Sequence, residues 1–322
     1  MLIRSTTTPL GIDIGTTRVR VAMGKRDRRG QFVLTAVATK ELGGTGTFQS
    51  GAAPEAIAAA IRDLVKELGV AQRSCVLSLS PPAAMLRVVR LAAMTPAQQR
   101  EAARYEAERF APWNVAEVAS VVRVRALGDA QGLFAVGIAR EDVLAERVAS
   151  VRRAGLRVAG IDHDACALRR AFPLAGAVLD IGYRSSRLHA FLPAGSLCSF
   201  VAAGGLDVTL AIARDLRIDD AAAEKRKRIF GTAGAGEPAK VQFVDAIRRQ
   251  VEKLPNVLKR LALVGNGSRL AGLAGAIESA TQANVELPAS DLLRYGAYPE
   301  DIVRAAGPDW TLAASLAGWT PC

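Results

Sequence analysis

Apolar residues recur in short alternating runs broken by glycine-rich turns, and the runs fall into two matching sets. Leu10 to Ile14 and Arg18 to Met23 read as strands joined by a tight Gly-Thr-Thr turn. A charged turn at 24–30 precedes a third strand at 32–38. Pro54 opens a helix with apolar positions at 57, 61, 64, 65 and 68, stopped by Gly69, and Val76 to Leu79 is a short buried strand. The second half repeats the opening: Ala177 to Ile181, Ser186 to Leu192 and Leu197 to Ala202 read as strands, and a helix follows Gly205. A turn at 231–238, a basic helix from Val244 to Leu254, a buried strand at 260–266 and a helix over 268–280 complete it. A last helix, Leu312 to Leu316, is expected to pack back on the first half.

Between the sets lies a block of different pattern. It reads as a strand at 86–92, a helix at 95–110, paired strands at 118–127 and 133–139 with a turn at 128–132, and a helix from Glu141 to Ala154. Thr95 is placed to cap its first helix, with Pro96 in the first helical position and Gln98 closing a capping box.

Composition narrows the function classes. Half of the 322 residues are apolar and aromatics are scarce, so the core is built from Ala, Val, Leu and Ile. Lys and Arg number 42 against 31 Asp and Glu, a net charge of +11 that favours anionic partners such as nucleotides or acidic lipid. The surplus is spread along the chain without aromatic neighbours, which argues against nucleic acid. Four cysteines at 75, 166, 198 and 322 form no C-x-x-C pair, so a metal knuckle and a disulfide scaffold are both disfavoured and a reducing cytoplasm fits. The N-terminus carries no long apolar run, and the uncharged stretch 188–206 is broken by Pro193, Gly195, Gly204 and Gly205. It reads as strand, turn and strand rather than a membrane span, and the chain reads as soluble.

The chemistry concentrates where the two sets coincide. Each has Asp-Ile-Gly at the end of an apolar run, followed by hydroxyl residues and an arginine: Asp13, Gly15, Thr16, Thr17 and Arg18 in one, Asp180, Gly182, Ser185 and Ser186 in the other. A glycine turn supplies backbone N–H donors for phosphate, hydroxyls add more, and an Asp at the strand end can hold Mg2+ through water. Either stretch alone reads more readily as an ordinary hairpin turn. The run 263–273, with Gly265, Asn266, Gly267, Ser268 and Arg269, is strand, glycine-rich loop and helix, a context in which backbone approaches a nucleotide closely. The Gly204-Gly205 turn lies between, and Glu224 and Lys227 sit three apart on a helix, facing either one ligand or solvent as an ion pair.

In this order these motifs resemble the actin-like ATPase superfamily. The segments at 78–113 and 152–172, above all Tyr-Glu-Ala-Glu-Arg-Phe at 105–110, resemble its PilM family of type IV pilus assembly proteins, from about Gly11 to Trp319. The resemblance implies an α/β actin-like ATPase fold: two duplicated domains around a nucleotide cleft, with an α+β subdomain inserted in the first. The first domain would take 8–84 with a linking helix at 159–175, and the insert 85–158. The second would take 176–311, with a smaller subdomain at about 214–259, and 312–322 would be a helix packed on the first. ATP and Mg2+ are the implied cofactors, with all the residues above as the nucleotide site and Asp13 and Asp180 on the metal. Asp164 is the nearest match to the superfamily's water-orienting residue, although it equally suits a helix cap; His163 and His189 read as structural. Asn266 stands at the middle glycine of the usual loop, and Tyr183 and Arg184 add bulk to the second hairpin, so slow or absent turnover is expected.

The implied partner is a PilN-like single-span membrane protein, gripped by its cytoplasmic N-terminal tail near strand 86–92, alongside other platform proteins and ATPases, with self-association open. That would place the chain in the cytoplasm, peripheral on the inner membrane. An FtsA-like cell-division protein and a small-molecule kinase of the same fold are the alternatives.

Overall fold

The computed structural model describes residues 6–42, 53–92, 94–127, 132–192, 195–254, 258–287 and 307–319. The turn read at 128–132 lies largely outside these residues, as do 288–306, within the expected second domain, and Cys322.

Two five-strand arrangements share one topology. In the first sheet β2 (Leu10–Ile14) pairs antiparallel with β3 (Arg18–Arg26), and β3 with β4 (Phe32–Glu41). On its other side β2 runs parallel to β5 (Ser74–Leu79), and β5 to β9 (Arg157–His163). The short β1 (Thr6–Thr7) adds to β3. The second sheet has the order β12 (Gly195–Val201), β11 (Ser186–Leu192), β10 (Ala177–Ile181), β13 (Arg260–Val264), β14 (Asn284–Glu286). Its first three strands are antiparallel and its last two parallel to β10, so β2 and β10 hold equivalent central places.

Each sheet is covered by helices whose apolar face the spacing dictates. On the first, α1 (Pro54–Glu67) buries Ile57, Ile61, Leu64 and Val65 against Ile12, Val21 and Leu77. The insert is a three-stranded antiparallel sheet, β6 (Ala84–Arg90), β8 (Leu133–Arg140), β7 (Ser120–Ala126), with β8 central. Its helix α2 (Pro96–Phe110) buries Ala103, Ala107 and Phe110 on that sheet and begins with the expected Thr95–Gln98 capping box. Helix α3 (Glu141–Arg153) leads back to β9, and α4 (Asp164–Ala171) follows. In the second half α7 (Glu237–Val251) and α8 (Leu273–Thr281) cover the sheet, with Phe243, Ile247 and Ile277 packed on Leu179, Leu261 and Leu263, while α5 (Gly205–Leu216) and α6 (Asp220–Phe230) pack on each other in a separate core. The apolar stretch 188–206 is the hairpin β11–β12. No helix among the described residues is long and apolar enough to cross a membrane.

Three elements differ from the sequence reading. Residues 157–163, of which 159–163 are expected within a linking helix, form the edge strand β9, and the helix is confined to α4; Gly160 and Asp162 break the apolar alternation that would have signalled a strand. Gly160 is required because the Trp319 ring lies on it, 2.7 Å from where a Cβ would be. Helix α7 begins at Glu237, not Val244, because Pro238 suits a first helical turn. Helix α8 begins at Leu273, since Gly272 adopts a left-handed φ of 73° and separates it from a 3-10 turn over Asn266–Arg269.

The last helix, α9 (Thr311–Ala317), lies on β2, β3 and α4. It comes so close that a Cβ at Gly11 would sit 2.0 Å from the Ala313 carbonyl oxygen and 2.4 Å from the Ala317 nitrogen. Two backbones meet here, so neither can yield. Gly11→Ala is expected to lower unfolding stability by about 3 kcal/mol through overpacking, read as a lower urea midpoint. An unchanged midpoint would contradict the packing of α9 on β2.

Candidate functional site

The two Asp-Ile-Gly stretches form hairpin turns of the same construction at the ends of β2 and β10. Gly15 N–H donates to the Arg18 carbonyl at 2.9 Å, and Gly182 N–H to the Ser185 carbonyl at 3.1 Å. In both, the strand-end aspartate faces an arginine seven residues on, in cross-strand register: Asp13 opposite Arg20, Asp180 opposite Arg187. Arg20 Nη1 donates to Asp13 Oδ2 at 3.0 Å, and Arg187 Nη1 to Asp180 Oδ2 at 3.4 Å. The sequence reading singled out Arg18 and missed Arg20 and Arg187, although the spacing was visible in both copies.

Between the second hairpin, α5, α6 and the loop after β13 lies a cavity of about 310 Å3. Of the expected residues, Arg18, Gly182, Gly204, Gly205, Glu224, Lys227, Asn266, Gly267 and Arg269 line it. Val208, Phe243, Leu270 and Leu273 add an apolar wall that sequence reasoning missed, because those side chains read as ordinary helix core. Asp13, Gly15, Thr16, Thr17, Asp180, Ser185, Gly265 and Asp164 do not line this cavity. Ser186 is a correction: it is fully buried and its hydroxyl donates to the Ala203 carbonyl at 2.9 Å, so it holds the hairpin rather than facing a ligand. Ser268 is likewise buried and closes its own loop through Gly265 O at 2.7 Å.

The glycines of the loop serve packing first. Gly265 has φ +83°, and a Cβ there would sit 2.5 Å from Asp180 Oδ1; one at Gly267 would sit 2.3 Å from Ile181 Cγ2. A side chain at 267 therefore meets β10 itself, so its cost falls on the fold as well as on the cavity. The first N–H groups of α5 are also committed: Gly205 donates to Gly182 O at 3.0 Å and Leu206 to Tyr183 O at 2.7 Å. The Gly204-Gly205 turn thus clamps the second hairpin.

Glu224 and Lys227 face the cavity as one network. Lys227 Nζ lies 2.6 Å from Glu224 Oε2 and donates to Gly205 O at 2.7 Å and to Thr209 Oγ1 at 2.6 Å. Burial pushes the Glu224 carboxyl up, but hydrogen bonds from Lys227, Thr209 and Arg228 outweigh it and hold the group below its ordinary value. Burial draws the Lys227 ammonium down, with Glu224 opposing.

Asp164 opens α4, but it is not the cap: His163 Nδ1 accepts from Ala165 N–H at 3.1 Å. Asp164 is buried, and its Oδ1 has no hydrogen-bond partner. Desolvation pushes its carboxyl up to about 7, against the nearby Arg187 charge, and it also feels Asp180 and Asp13. Burial holds His163 down at about 4 and His189 well below its usual value, so both are neutral and structural. Burial likewise raises the Asp180 carboxyl.

The fold resemblance implies Mg2+ on Asp13 and Asp180. Each of these carboxylates already faces a guanidinium fixed by strand register, and among the described residues no three His, Cys, Asp or Glu side chains gather as a metal site. Each guanidinium engages only the Oδ2 of its aspartate, and Mg2+ carried by a triphosphate needs only one or two carboxylates reached through its water shell.

The pH dependence of stability follows from Asp164. An unfolded Asp titrates near 4, whereas the folded group holds its proton to about 7. Below pH ~4 both states carry the proton; from there to about 7 only the folded state keeps it, so stability falls through that window. Between pH 5 and 8 the wild type should lose roughly 1.4 kcal/mol per unit up to the folded value, a loss that Asp164→Asn removes. Denaturant titrations at both pH values check this; equal losses in the two proteins would contradict it.

Comparison with known proteins accords with this geometry. No curated protein matches the chain. A solved structure, the PilM-PilN type IV pilus biogenesis complex, is 27% identical, covers 98% of this chain and 99% of its own, and superposes with a TM-score of 0.82. The ethanolamine utilization protein EutJ from Carboxydothermus hydrogenoformans shares the fold at 14% identity, 99% and 92% coverage and a TM-score of 0.64. A Bacteroides thetaiotaomicron protein with an actin-like ATPase fold is 9% identical over 96% and 95%, with a TM-score of 0.50. The family description Type IV pilus assembly protein PilM matches residues 11–317, nearly the whole chain, and this chain with its actin-like ATPase fold therefore belongs to the PilM family.

Proposed function

We propose that the chain is the nucleotide-binding, partner-docking component of a type IV pilus assembly platform. The observation that carries this reading is the match over both full lengths to a PilM-PilN complex, together with a cavity lined by the second hairpin and both adjoining helices. ATP is the ligand: adenosine enters the apolar end beside Phe243 and Leu273, its ribose meets Glu224 and Lys227, and its phosphates run toward the two hairpins. Asp164, buried with a free Oδ1 among the charges of both hairpins, is the residue to orient a water. Because it retains its proton to about 7, it is a poor base at neutral pH, and turnover is slow or absent.

The partner is the cytoplasmic N-terminal tail of a PilN-like single-span membrane protein. The insert sheet β6, β8 and β7 with α2 is the docking unit in this reading; α3 and β9, expected in part within the insert, belong to the first domain, where α3 packs with α1 and β9 pairs with β5. Within the docking unit β6 is an edge strand lying against β12, itself an edge strand, so main-chain groups at that seam can take up an extended peptide. Docking there holds the chain peripherally on the inner membrane, with the surplus positive charge attracted to acidic headgroups.

Calorimetry tests both halves. Lys227→Ala removes a charge-assisted contact and is expected to weaken ATP binding by about tenfold or more. A peptide of the PilN-like tail should bind the wild-type chain. Unchanged ATP affinity in the variant contradicts the nucleotide placement, and failure of the peptide to bind contradicts the partner.

A further inference from the structure

The insert sheet has apolar side chains on both faces, and one face is also cationic. Met85, Val89, Val122, Val124, Phe134 and Val136 pack with Ala103, Ala107 and Phe110 of α2, which settles the first face. Side chains alternate along a strand, so Leu86, Val88, Val121, Arg123 and Arg125 take the opposite one. An antiparallel sheet packed on one side ordinarily turns polar residues outward on the other. Here the face away from α2 has no Ser, Thr, Asn, Gln, Asp, Glu or Lys, and its only polar members are arginines. Leu86, Val88 and Val121 are partly buried and join none of the hydrophobic clusters among the described residues. The side-chain bonds from Arg187 and His163 tie this unit to the rest of the chain at Pro81 and Ala84, the end of β6 away from Arg90.

Two rows cross this face in register, Leu86–Gly137–Arg123 and Val88–Ala135–Arg125. Each runs from an aliphatic side chain over a glycine or alanine to an arginine, so both edges can meet one flat surface. The strands of the sheet carry five arginines and no carboxylate, whereas α2 balances three arginines with three glutamates. Arg123 and Arg125 are exposed and join no ion pair among the described residues. Guanidiniums on long stems reach lipid phosphates while aliphatic neighbours meet the acyl boundary. The docking reading above, on which this inference rests for the placement of the insert, favours lipid over an acidic protein: the tail of a single-span protein begins at the bilayer, so the unit that grips it lies beside headgroups. We propose that the face of the insert sheet turned away from α2 is a contact surface for acidic lipid, with Arg123 and Arg125 on the phosphates.

Vesicle co-sedimentation of the full chain at low salt, with no partner present, tests this. The chain is expected to bind vesicles of phosphatidylcholine and phosphatidylglycerol in equal parts, and not vesicles of phosphatidylcholine alone. Arg123→Gln/Arg125→Gln should weaken that binding by at least about tenfold. Lys225→Gln/Lys253→Gln removes as much charge from exposed positions of the second half and should leave it unchanged. Equal losses in the two variants would mean attraction by overall charge and overturn the inference. No binding to the acidic vesicles overturns it as well and leaves the face to an acidic protein segment. The PilN-like tail peptide, titrated separately into the wild type, reports on the docking reading alone, so either can fail without the other.

Discussion

One chain of charge joins the two halves of this fold: Asp13 to Arg20, Arg20 to Asp309, and Asp309 to Arg269 at 2.6 Å. It starts at the first hairpin and ends in the loop after β13, which belongs to the second sheet. Asp309 is its centre, buried just ahead of α9. The backbone reinforces it, since Gly265 N–H donates to the Pro308 carbonyl at 2.9 Å. Asp309 is the member whose loss breaks two of these contacts at once, to Arg20 and to Arg269, and pairs with buried members contribute more than exposed ones do. The close seat of α9 on Gly11 follows from this anchoring, and with it the position of β2 and its Asp13.

A second set of ties fixes the insert. Arg187, from the second hairpin, donates to the Pro81 carbonyl, and His163 Nε2 lies 3.3 Å from the Ala84 carbonyl. Both contacts fall where the chain enters β6. The strand proposed for partner docking is thus held at its root by the arginine that faces Asp180.

Much of this was legible in the sequence, and the reasons are local. The two Asp-Ile-Gly hairpins and the Thr95 capping box each depend on a few adjacent residues, so their sequence carries their shape. What was hidden depends on distant chain. Strand β9 is a strand because β5 pairs with it, and its Gly160 makes sense only under Trp319. The commitment of Ser186 to Ala203 and the apolar cavity wall from α5, α7 and α8 likewise require the assembled sheet. The pairing of Asp13 with Arg20 and Asp180 with Arg187 was written twice in the chain at one spacing. Its meaning depends on the antiparallel register that sets each arginine opposite its aspartate.

In the proposed reading the two hairpins and the loop after β13 form one nucleotide site. A crystal structure of the full chain grown with ATP tests it most directly. The phosphates are expected between Gly15–Thr17 and Gly182–Ser185, with the adenine against the apolar wall beside Gly267. Nucleotide density at any other place on the molecule would contradict it.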